Sequence, residues 1–164
     1  MTSRYPLVLL GLVLTLVTQL RGDVSTGAAH DVEMTLNRFH ASASAADGGA
    51  YFSLFAPEGV FIGTDAGERW TVEEFKAFAA PYFSKGLGWT YVPRNRHVQL
   101  SPQGDVAWFD EILDSQSYGV CRGSGVLRKV GTQWLICQYH LTIPIPNDLA
   151  KAVVKLIRED VPGK

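Results

Sequence analysis

Asp110 and Glu111 stand side by side in the run VAWFDEILD, Val106 to Asp114. A carboxylate can act as a general acid or base when burial raises its pKa, or as a fixed anion when a cation holds it ionised. The surrounding Val, Ile, Trp and Phe predict a β-strand, in which successive side chains point to opposite faces. One acid must therefore face the interior of a sheet and the other must face away. The inward one needs a cation, a donor or a catalytic role, because an unpartnered buried carboxylate is costly. Arg94 and Arg122 are the candidate cations. If Leu100 pairs with Asp105 across SPQGD, Arg94 meets Glu111 and Asn95 meets Asp110, and a single bulge reverses the assignment. An arginine partner would keep the acid ionised and a poor proton carrier near neutral pH.

The segment GTDAGERW, Gly63 to Trp70, leaves a short apolar stretch and offers Asp65, Glu68 and Trp70 as a rim that could orient a polar ligand. Its structural alternative is an Asp65 that binds loop amides and a Trp70 that packs a helix start. His30, His40, His97 and His140 show no metal-ligand spacing with one another or with the cysteines, so no metal site is expected. No glycine motif links a strand to a helix as a phosphate loop requires, and no GxSxG elbow occurs, so no nucleotide cofactor is expected. RNRH, Arg94 to His97, is too small a basic cluster for a nucleic-acid surface.

These residues are carried by a chain that opens as an exported one. Arg4 precedes an apolar run from Leu7 to Leu20, followed by small and polar residues, which is the build of a signal peptide covering residues 1–22, with cleavage near Gly22. The uncharged run is shorter than the ~20 residues that span a bilayer, so the membrane enters only through the export signal and the protein is expected to be secreted or periplasmic. Removing residues 1–22 takes Arg4 and Arg21 and no acid, which moves the net charge from −1 to −3. Such a balance excludes an electrostatic nucleic-acid binder. Residues 23–30 are expected to form a flexible linker, and residues 31–160 a single domain.

Within that domain, Val32, Leu36, Phe39, Ala43 and Ala46 recur at helical spacing, and Asp47 with its following glycines breaks this first helix. A short second helix holds Tyr51, Leu54 and Phe55 and ends at Pro57, and GVFIG then reads as a brief strand. TVEEFKAFAAPYF opens with a capping box, Thr71 with Glu74, and Gly86 supplies its stop. Four strands follow, over residues 88–100, 105–114, 118–129 and 133–143, joined by short turns that favour consecutive antiparallel pairing. Asp148 to Arg158 closes the chain as an amphipathic helix carrying Leu149, Val153, Leu156 and Ile157. If Lys129 faces Trp134 in the last hairpin, Cys121 and Cys137 lie five residues out of register, beyond disulfide reach, and are expected as two buried thiols. Helices followed by a meander of long strands define an α+β class, a curved antiparallel sheet packed on N-terminal helices.

The element order, together with YFSLFAPEGVFIGTD, ERWTVEEF, GDVAWFDE, RGSGVLRK and WLICQYHLT, resembles the SnoaL-like branch of the nuclear transport factor 2-like superfamily over nearly the whole mature chain. The resemblance implies a cone-shaped α+β fold enclosing a pocket, often dimeric through the sheet. It also implies that Trp134, Ile136, His140 and Thr142 face the pocket, leaving Leu135, Cys137, Tyr139 and Leu141 on an apolar outer face for a homodimer partner. Arg122 would turn inward, as counterion to an acid or as a grip on an anionic ligand, and Tyr51 and Trp134 join Asp65, Glu68, Trp70 and Arg122 as ligand-binding positions. His140 could be a ligand donor or general base, or a core histidine bonded to a helix. The expected function is binding of a small, largely hydrophobic molecule. The alternatives are an acid–base enzyme of isomerase, cyclase or dehydratase type using Asp110 or Glu111 with His140, and a dimeric protein-interaction module.

Overall fold

The computed structural model describes residues 26–160. The expected signal segment lies outside the described residues. Helix α1 runs through residues 26–44, so the described part of the expected linker is helical rather than flexible. Val32, Leu36, Phe39 and Ala43 form its buried stripe as their spacing predicts. Asp47 caps α2 (Gly48–Phe52) by accepting from the Ala50 amide at 2.9 Å.

Strand β1 (Phe55–Ile62) begins earlier than the sequence suggests and carries Pro57 within it. Its pairing is irregular between Phe55 and Val60, which accommodates a residue that cannot donate to a ladder. After a short β2 (Arg69–Thr71), α3 (Val72–Phe83) opens on the expected capping box: the Thr71 hydroxyl accepts from the Glu74 amide while the Glu74 carboxylate accepts from the Thr71 amide. Gly86 ends the turn in the left-handed region (φ 69°).

Strands β3 (Val92–Leu100), β4 (Val106–Ser115), β5 (Gly119–Val130) and β6 (Gln133–Thr142) form the expected antiparallel meander. The whole sheet has the order β2-β1-β6-β5-β4-β3, with β1 parallel to β6. It is curved and unclosed, and α1 and α3 cover its concave side. The result is the α+β architecture read from the sequence. A 3-10 turn at Asn147–Leu149 leads into α4 (Ala150–Asp160), whose apolar stripe stays outside the core, with Leu149, Leu156 and Ile157 each about half exposed.

Two irregularities decide which side chains enter the core. On β3 the ladder with β4 shifts between Arg94 and His97, with Asn95 at a φ of 48°, so that Arg94 sits opposite Ile112 and His97 opposite Asp110. On β6 a shift between Val126 and Leu127 of the facing strand leaves Cys137 unpaired. Inward alternation before that point, Trp134 and Ile136, therefore gives way to Tyr139 and Leu141 after it. The expected outer face of Leu135, Cys137, Tyr139 and Leu141 is corrected on this ground: Tyr139 and Leu141 are core residues. Cys121 and Cys137 are free thiols.

Gly123, opposite Glu111 on β5, leaves the space into which Tyr139 lays its hydroxyl; a Cβ there would overlap that hydroxyl and stand 3.0 Å from Glu111 Oε1. Gly123→Ala is expected to lower unfolding free energy by about 1–3 kcal/mol, whereas Gly27→Ala on α1, where a Cβ meets nothing within 4 Å, should be neutral or mildly stabilising. Equal denaturant midpoints for the two variants would contradict this packing.

Candidate functional site

Alternation along β4 places Ala107, Phe109, Glu111 and Leu113 inside and Trp108 and Asp110 outside, so Glu111 is the buried acid, with no exposed surface at all. Its partners differ from those expected. Arg94 turns outward to Asp114 (2.9 Å), and Arg122, opposite Ile112 and Thr142, lies exposed on the far face. The register of β3 on β4, with Leu100 opposite Ala107, instead brings Arg96 into line with Glu111, and the Arg96 Nε donates to Glu111 Oε2 at 2.7 Å. The same guanidinium donates through Nη1 to Asn37 Oδ1 (2.8 Å) and to the Glu33 carbonyl (3.2 Å), which ties β3 to α1.

The other carboxylate oxygen is shared. His40, on the apolar stripe of α1 one turn after Leu36, lies with Nε2 2.7 Å from Glu111 Oε1, and the Tyr139 hydroxyl donates to the same oxygen at 3.1 Å. Burial alone would raise the Glu111 carboxyl, but the hydrogen bonds and charge of His40 and Arg96 outweigh it and hold the acid below its ordinary range. An ionised carboxylate only accepts, so His40 carries a proton on Nε2 in either charge state, and Nδ1 is an acceptor only when the ring is neutral. Its Nδ1 makes no hydrogen bond to the described residues, and the ring lines a cavity. Tyr139 is pushed well above its usual pKa by burial and then by the Glu111 charge, so it stays a donor.

That cavity, about 320 Å³, lies between the concave sheet face, α1 and α3. Its inner end is formed by Phe39, His40, Tyr51 and Tyr139, and its walls by Phe61, Phe75, Trp89 and Tyr91. Trp70, Phe78, Tyr82 and Tyr118 stand at the mouth with Glu68 and Thr64. The rings support one another: Phe61 stacks on Phe75 with centroids 4.0 Å apart, and Trp70 on Phe78 at 4.8 Å. Burial pushes the Tyr91 phenol up to about 12 and raises the Tyr51 phenol well above its usual value, so both hydroxyls remain neutral.

Of the residues singled out from the sequence, Tyr51, Glu68 and Trp70 line the cavity and Glu111 stands directly behind it. Asp65 does not line it; its carboxylate accepts from the Gly67 amide (2.8 Å) while its own amide donates to Glu68 Oε2 (3.2 Å), which is the loop-binding alternative. Trp134 is buried in the core away from the cavity. His140 pairs with Ser124 and Ile62 on the face opposite Tyr139, half-buried and outside the lining, because the β6 irregularity exchanges the two faces. Asp110, exposed on that same far face, meets neither His140's expected pocket nor Glu111. The residues missed are His40, Arg96 and Tyr139. A histidine on the apolar stripe of α1 was a signal that pointed to the first.

The fold and cavity define the class: a cone-shaped α+β pocket of the nuclear transport factor 2-like kind. The profile of the SnoaL-like domain family matches residues 32–146, and the chain belongs to that family. No curated protein matches it. Among solved structures it is similar to a nuclear transport factor 2-like protein of unknown function from Pseudomonas putida (16% identity, 76% of this chain and 92% of that one, TM-score 0.64). It is also similar to a candidate dehydratase of the same family from Streptomyces avermitilis (15%, 74% and 99%, TM-score 0.60). A candidate scytalone dehydratase from Novosphingobium aromaticivorans is similar as well (12%, 76% and 89%, TM-score 0.61). At these identities the likeness is one of fold.

Removing the Glu111 charge leaves Arg96 buried with its partner gone. Glu111→Gln is therefore expected to cost about 3–5 kcal/mol, against less than about 0.5 kcal/mol for the exposed Asp110→Asn. Because the folded Glu111 carboxyl lies below its unfolded value, the linked stability is present above the unfolded pKa and lost as pH falls through the folded one. Chemical denaturation as a function of pH should show the acid limb flattened in Glu111→Gln alone; equal, small shifts in both variants would refute the buried ion pair.

Proposed function

We propose that this SnoaL-like protein binds a small, largely apolar and aromatic molecule in the cone. The carrying observation is the cavity itself, about 320 Å³ walled by aromatic rings with few polar groups, the composition that small-molecule sites share. The pairing of Glu111 with Arg96 supports binding over acid catalysis by that carboxylate, since an acid held ionised is a poor proton carrier near neutral pH.

A second reading rests on a different atom. His40 lines the cavity with Nε2 anchored on Glu111, so neutral Nδ1 is the group that could take a proton from a bound carbon acid, in the manner of an oriented histidine base. Under that reading the catalytic pair is His40 with Glu111 behind it, in place of Asp110 or His140. The fold likeness to candidate dehydratases is compatible with it.

The reading extends to compartment and assembly. Export is supported by the apolar run after Arg4. Homodimerisation is supported by the far face of the sheet, where Trp108 is 44% exposed near the half-buried Leu135 and Cys137, with Val120, 50% exposed, at the other end of that face.

Native mass spectrometry of protein purified from its own source is expected to show a co-purifying small molecule and an intact mass lacking residues up to about Gly22. Trp70→Ala should lose that molecule at least severalfold more readily. Repeated preparations without a bound molecule, or with the N-terminus retained, would overturn the respective claims. Sedimentation should show a dimer at micromolar concentration and a monomer for Trp108→Glu, with ligand retention unchanged; a wild-type monomer would exclude the dimer.

A further inference from the structure

The cavity lining holds phenol hydroxyls and indole N–H groups that can donate to any ligand, so its charged groups are what discriminate between classes of molecule. Among the described residues the lining holds no lysine or arginine. At the mouth stands Glu68, whose Oε2 accepts from the Asp65 amide at 3.2 Å. At the inner end stands His40, whose Nε2–H is committed to Glu111, so that in its neutral form the nitrogen left over is an acceptor. Arg96 is held by Glu111 through Nε and by α1 through Nη1, its Nη2 is buried without a partner among the described residues, and it does not line the cavity. Between Glu68 and His40 lie the rings of Phe61, Trp70, Phe75 and Trp89, which stack on one another.

A carboxylate at the mouth, with no lysine or arginine among the described lining residues, suits a ligand of positive charge and disfavours an anion, which would meet Glu68. We infer that the cavity selects organic cations, that is, ammonium compounds with an apolar or aromatic body. This rests on the small-molecule reading above and narrows it. The ammonium group lies near Glu68 or near His40 Nδ1, and the apolar body fills the aromatic walls.

Three probes of one shape separate the possibilities: 4-phenylbutylammonium, 4-phenylbutanol and 4-phenylbutyrate, titrated calorimetrically into the full mature protein at neutral pH. The ammonium compound is expected to bind about tenfold more tightly than the alcohol, the gain that cation–π and carboxylate contacts supply in a partly desolvated site, and the carboxylate to bind least. Glu68→Gln, in an exposed loop, should weaken the ammonium compound severalfold and leave the alcohol unchanged. Equal binding of all three, or preference for the carboxylate, overturns the cation inference while the small-molecule reading stands. Failure of all three to bind at millimolar concentration overturns both.

Discussion

The buried carboxylate of Glu111 is the constraint on which the remainder of this structure depends. A charge with no exposed surface is tolerable only where donors surround it, and here they come from three other elements: His40 of α1, Arg96 of β3 and Tyr139 of β6. Each of those side chains is held by something else. Arg96 reaches on to Asn37 and the Glu33 carbonyl, and Gly123 leaves room for the tyrosine hydroxyl. The acid thus fixes the distance of α1 from the sheet, which is the depth of the cavity.

The aromatic cavity is a consequence of that spacing. A helix held off a curved sheet by a polar cluster at one end leaves a space that close-packed aliphatic residues would otherwise fill. Large rings line it without closing it: Tyr51 stacks on Phe39 (4.6 Å) at the inner end, and Trp70, Phe78 and Tyr82 continue the ring contacts to the mouth. Two of the polar lining side chains, His40 and Tyr139, are directed at Glu111. His40 has one nitrogen engaged and the other unengaged at the cavity surface.

The far face of the sheet obeys different rules. Asp110, Arg122 and His140 lie there, between Trp108 at one end and Val120 at the other. These side chains are separated from the cavity by the thickness of the sheet, so they act on any partner or on solvent and not on a molecule within the cone. The same strand residues that look alike in sequence therefore divide into two chemically unrelated sets.

Local patterns alone determined much of this protein. The 3.6-residue spacing of Val32, Leu36, Phe39 and Ala43, the capping box at Thr71 and Glu74, the Gly86 stop and the four-stranded meander follow from propensity, capping and turn chemistry, which act within a few residues and so are written in them. Strict alternation also required that Asp110 and Glu111 be opposed. What alternation could not fix was phase. A bulge inserts one residue without a strong local signature and exchanges the faces of everything beyond it. The one in β3 turned Arg94 outward while a hairpin register of Leu100 opposite Ala107 brought Arg96 into line with Glu111, and the one near Cys137 put Tyr139 rather than His140 inside. Their positions are decided by which phase buries the most apolar surface and satisfies the buried Glu111 carboxylate. That comparison involves α1 and strands far apart in the chain, and it exists only once the sheet has folded against the helices.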